Sequence, residues 1–164
     1  MSRPIIYLPM EPYLKEWFIN DCGGDVPVTL RKGSAESDIV VIFASVPPVN
    51  DRNEHSPDDL PIYIPPSKMN DDTQHTFLSR KAKAALHTCI RLRCRQQLWK
   101  DMCKLTDVES DAYGRQTQDL IYAWMDAHGI NDTETNYLAL QKIYQRQRDV
   151  YRKKLTRKRK KKNF

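Results

Sequence analysis

The chain has 164 residues, 40% hydrophobic and 29% charged, and a mean hydropathy of −0.71. That is apolar material for one ordinary core and too little for two sizeable ones. The longest apolar run, about eight residues over 39–46, falls well short of the roughly 18 needed to span a bilayer. The start, MSRPIIYLPMEPY, is too short in apolar residues and too soon interrupted by Glu11 for a signal peptide, so a cytoplasmic protein with no membrane partner is expected.

The first 65 residues read as strand, helix, strand, helix, strand. Pro4–Leu8 is a short β-type run stopped by Pro9, and Glu11-Pro12 opens a helix whose Leu14, Trp17 and Phe18 form a buried face. Val26–Leu30 is a second strand, and Pro27 places it at a sheet edge. Ser34 caps a second helix in which Ile39, Ile42 and Phe43 are expected to face inward. A polar, mobile loop follows near 47–60, then a third strand over Leu60–Ile64, then a second mobile loop near 66–78.

Ser79 caps the most helical stretch of the chain. Ala82, Ala85, Leu86, Cys89, Ile90, Leu98, Met102 and Leu105 recur as an apolar stripe, with room for a kink at Arg95-Gln96. Lys81, Arg91, Arg95 and Lys100 form its solvated basic face. After an acidic connector at 106–115, Leu120, Ile121, Trp124 and Met125 share one face of a shorter helix. Gly129 ends it, and Asp132 or Thr133 caps the next. That last helix carries Tyr137, Leu140, Tyr144 and Tyr151 along one stripe, flanked by Ile143 and Val150.

The fold class expected is α+β and mostly helical: a small N-terminal sheet with helices, then a helical half ending in a helix-turn-helix-like hairpin and a basic tail. The divisions expected are a body over 1–105, the hairpin over 106–155 and a disordered basic tail over 156–164.

Candidate chemistry is concentrated at one end. From Arg146 onward there are eleven Lys or Arg and one acid, Asp149, a local charge of +10; the whole chain carries +6, so residues 1–145 carry −4. A dense cationic run gains by releasing counterions from a polyanion. The side chains available to phosphates or base edges are Lys142, Arg146, Arg148, Arg152, Lys153, Lys154, Arg157, Lys158, Arg159 and Lys160.

Catalytic and metal-binding patterns are missing by comparison. Cys22, Cys89, Cys94 and Cys103 contain no C-x-x-C pair and are expected as free thiols, with Cys89 a small core residue. A zinc set of His87, Cys89, Cys94 and Cys103 fails because His87 and Cys89 point about 200° apart on a helix. Asp58-Asp59 and Asp71-Asp72 are read as turn-solvating pairs, and His128 as a helix C-terminal cation. No nucleophile elbow, H-E-x-x-H, kinase or dinucleotide pattern occurs, so no enzyme, metal or cofactor is expected.

The segments DLIYAWMDAHGI (119–130), TETN (133–136) and KIYQRQRDVYRKK (142–154) are similar to small, functionally unassigned proteins of bacterial phages and conjugative elements. The hairpin, about 35 residues, also resembles helix-turn-helix DNA-binding segments. Together these point to a nucleic-acid-binding accessory or regulatory protein of a mobile element, with DNA ranked ahead of RNA and a protein partner for the N-terminal body. The alternatives are an adaptor that binds an acidic protein, or a structural component of a phage or transposition assembly.

Overall fold

The computed structural model describes residues 3–66, 74–106 and 114–162. In chain order these form β1 (Ile5–Leu8), α1 (Pro12–Asp21), β2 (Val28–Thr29), α2 (Ala35–Phe43), β3 (Leu60–Tyr63), α3 (Arg80–Leu105), α4 (Gly114–Ala127) and α5 (Glu134–Lys162). The fold is α+β and mostly helical. Two compact units divide at Leu92 and Arg93, inside α3. The acidic connector over 106–115 and the second loop over 66–78 fall largely outside the described residues.

In the first unit the sheet order is β1-β3-β2. β1 runs antiparallel to β3 with Ile6 opposite Ile62, and β2 runs parallel to β3 with Val28 opposite Ile62. A parallel neighbour requires a crossover, and α2 lies within it. Strand alternation buries Ile6, Leu8, Val28, Leu60 and Ile62, and α1 of the same unit buries Tyr13, Leu14, Trp17 and Phe18. β3 is central yet contains Pro61. The Ile64 N–H donates to the Pro4 carbonyl at 3.0 Å, so by alternation Pro61 turns its missing donor toward β2, which begins only at Val28.

Two ties close this unit over its irregular segment. Lys15 Nζ donates to the Asp58 carbonyl at 2.8 Å, and the Tyr7 and His55 rings stack at 3.5 Å. Glu11 stands at the N-terminus of α1, and its carboxylate meets His87 Nε2 at 2.7 Å. Burial alone would raise the Glu11 pKa. The hydrogen bond from His87 and its own backbone bond, with the charges of His87 and Arg91, outweigh burial and hold that carboxyl below its ordinary value.

The face of α2 differs from expectation. Glu36, Ser37 and Val40 are buried, while Ile42 and Phe43 are 70% and 53% exposed and Ile39 is half-buried. Residues 39–43 are all apolar and point in every direction around the axis, so their pattern carries no phase. The register is set from the start of the helix, where Ser34 Oγ accepts the Ser37 N–H at 3.2 Å.

α3 is unbroken at Arg95 and Gln96. Its buried row is spaced by four: Ala82, Leu86 and Ile90 in the first unit, Cys94, Leu98 and Met102 in the second. This is an i±4 ridge. Ala85 and Leu105 fall beside the ridge and are exposed, and Cys89 is half-buried, so Cys94 takes the core position expected of Cys89. Of the remaining thiols, Cys103 is exposed and Cys22 half-buried, and no disulfide joins any of the four.

Candidate nucleic-acid interface

The second unit is built from the C-terminal part of α3 with α4 and α5. Ile121, Trp124 and Met125 of α4 are buried, as are Tyr137, Leu140, Ile143 and Tyr144 of α5. The turn between them forms as its residues dictate. Gly129 has φ +68°, the Ile130 N–H donates back to the Met125 carbonyl at 2.9 Å, and His128 Nδ1 donates to the Trp124 carbonyl at 2.8 Å. Of the two candidate caps, Thr133 serves: its Oγ1 accepts the Asn136 N–H at 3.2 Å.

Asn136, which sequence reasoning passed over, is only 2% exposed and donates its amide to the Asn131 carbonyl at 3.1 Å. The spacing T-x-x-N, one residue type away from a capping box, was the available signal.

Polar ties fix α3 against the hairpin. Asp101 Oδ2 accepts from Gln97 at 2.8 Å and from the Trp124 indole at 2.9 Å. Burial would raise Asp101, but those two bonds, with the charges of His128 and Lys104, hold it below its ordinary range. The Thr106 hydroxyl meets Tyr144 Oη at 3.1 Å, and Gln147 Nε2 donates to the Arg95 carbonyl at 3.3 Å. The Trp99 ring lies 6.0 Å from Tyr144 and 5.7 Å from Tyr151.

Beyond Tyr151 α5 is continuous helix as far as Lys162, so residues 156–162 of the tail expected as disordered are helical; residues 163–164 lie outside the described residues. Composition alone treats this stretch as a free chain, but residues 156–162 continue a helix already nucleated by packing. Propagation then adds one bond per residue, Lys and Arg are good helix formers, and cations in the last turn complement the negative end of the dipole. Residues 152–162 are about 16 Å of helix with nine cations and no acid.

At about 100° per residue, the ten candidate cations fall into three rows. Lys142, Arg146, Lys153, Arg157 and Lys160 lie within about 60° of one another, opposite the buried Tyr137 and Tyr144, and all five are exposed. Lys154 and Lys158 form a second exposed row. Arg148, Arg152 and Arg159 form the third. Here Arg148 and Arg152 are half-buried, and the Arg148 guanidinium lies 6.0 Å from the centre of the Tyr144 ring. Those two arginines therefore cover the bundle with their stems as well as carrying charge.

A cleft of about 310 Å³ adjoins the rows, lined by Trp99, Arg146, Gln147, Val150, Tyr151 and Lys154. Tyr151 and Val150, expected along or beside the buried stripe, are instead 39% and 53% exposed at this cleft. The partner across the cleft, Trp99, stands 52 residues before Tyr151 in the chain, and no local pattern links them.

Among the described residues no helix is long and apolar enough to cross a membrane, and no three His, Cys, Asp or Glu side chains converge as a metal site. Comparison with known protein families, curated proteins and solved structures finds no match to this chain.

Proposed function

We propose that this is a nucleic-acid-binding accessory protein that grips the phosphate backbone with the projecting end of α5. One observation carries the reading: nine cations and no acid occupy the eleven residues after Tyr151, on a helix whose earlier turns are anchored in a bundle. A rigid cationic rod keeps its charges in fixed rows, so the entropy of ordering a loose tail is already met. Lys142, Arg146, Lys153, Arg157 and Lys160 act as the principal phosphate row, and Arg148 and Arg152 have the weaker claim because they also pack on the bundle. The hairpin's resemblance to helix-turn-helix segments, and that of the wider stretch to proteins of mobile elements, fits the same role.

The test is binding of the full chain to labelled DNA and RNA, single-stranded and duplex, across about 50–200 mM salt. With about six phosphates neutralised, log K against log salt falls with a slope near −5 on duplex and near −4 on single strands. No binding to any of these at about 50 mM salt would sink the reading. So would recovery from native cells of one stoichiometric acidic protein with no nuclease-sensitive material, which would favour an adaptor.

A further inference from the structure

Resting on the phosphate-gripping reading of α5, we infer that the cleft between Trp99 and Tyr151 receives an unpaired nucleobase, so that the preferred ligand is a single strand. The cleft puts an aromatic and aliphatic floor directly beside cations. Arg146, Val150, Lys154, Lys158 and Lys162 are spaced by four along α5, about 6 Å apart. The apolar Val150 thus sits one turn after one cation and one turn before another.

Phosphate binding alone has no use for this floor. Val150 at 53% exposure and Tyr151 at 39% leave apolar surface in water that the bundle could have covered. A duplex cannot use it either, because its base faces are stacked on each other and only edges and backbone are presented. A single strand offers both parts together: a π-face to lie on an aromatic ring and phosphates to reach flanking cations.

Geometry limits how the base enters. The Trp99 and Tyr151 rings are 5.7 Å apart and inclined at 57°, closer than the roughly 7 Å that two stacking separations require. The base therefore lies against the exposed faces instead of between the rings. A volume of about 310 Å³ is at the small end for ligand clefts and suits one flat ring system. Lys154 and Lys158 then follow the backbone toward the free end of the helix.

The experiment compares the full chain binding dT12, U12 and a 12-base-pair duplex by fluorescence anisotropy at about 100 mM salt. Single strands are expected to bind at least about fivefold more tightly than the duplex, and the dT12-to-U12 ratio separates a DNA from an RNA ligand. Tyr151→Ala should weaken single-strand binding about tenfold and leave the duplex within about twofold, while Tyr151→Phe, which keeps the ring, should bind like the parent. A thermal melt confirms that each variant is folded. Tryptophan emission gives a second readout: Trp17 and Trp124 are 2% and 5% exposed, so quenching on adding a single strand should come from Trp99 and vanish in Trp99→Phe. Equal affinity for duplex and single strand, with both indifferent to Tyr151→Ala, overturns the base pocket and leaves the phosphate reading standing. Loss of duplex and single-strand binding to the same degree in Tyr151→Ala also overturns the pocket. No binding to any of the three at about 50 mM salt removes both.

Discussion

The two halves of α5 carry opposite duties on one continuous helix. From Glu134 to Tyr144 it buries Asn136, Tyr137, Leu140, Ile143 and Tyr144 and holds one acid, Glu134, and one cation, Lys142. From Arg152 to Lys162 no residue is fully buried, only Arg152 and Leu155 being half-buried, and the stretch carries nine cations. The first half needs the bundle for its stability. The second grows from the first half as a nucleus and gains little packing beyond the half-buried Arg152 and Leu155. Stability and charge presentation are therefore separable along one element, and they should respond to different mutations.

The largest effect should come from the packed half. Leu140 is fully buried, and Leu140→Ala should lower unfolding free energy by about 2–5 kcal/mol, read from denaturant titration. A change under about 1 kcal/mol would mean that the hairpin contributes little to the unit. Next comes removal of 156–164, which takes away Arg157, Lys158, Arg159 and Lys160–Lys162. Nucleic-acid affinity at about 50 mM salt should fall roughly a hundredfold, while the melting temperature stays within a degree or two. A large fall in melting temperature would show that the two halves are not separable.

The smallest effect concerns acid. The Asp101 pKa is lowered in the folded state from an ordinary value of 3.8, so its ionised form stabilises the fold above about that pH. The contribution is lost as pH falls through the lower, folded-state pKa. Asp101→Asn should therefore show a shallower loss of stability than the parent below about pH 4, with little difference in shape above it. Parallel curves for the two proteins throughout that range would rule out Asp101 as a contributor to acid sensitivity.

The first unit makes a useful contrast with the second. It carries −2 (10 Lys or Arg, 12 acids) over Met1–Leu92, against +8 (17 and 9) over Arg93–Phe164. Its ties are mostly those of a closed body: the sheet, the α1 face, the Glu11–His87 pair and the stacked Tyr7 and His55. The cationic property belongs to one unit, and within it to one helix end.

Signals that act within a few residues were legible without coordinates. The five helices and three strands of the described residues, the Gly129 turn, the Ser34 cap and the edge position of β2 all follow from neighbours three or four positions apart, because hydrogen-bond closure and backbone sterics are local. The lopsided charge is likewise a property of composition alone. Tertiary structure decided what depends on distant partners. It chose the face that α2 buries, the ridge that puts Cys94 in the core, the extension of helix through the basic end, and the meeting of Trp99 with Tyr151 across 52 residues. Packing energy is non-directional and summed over contacts from separate elements, so no window along the chain contains it.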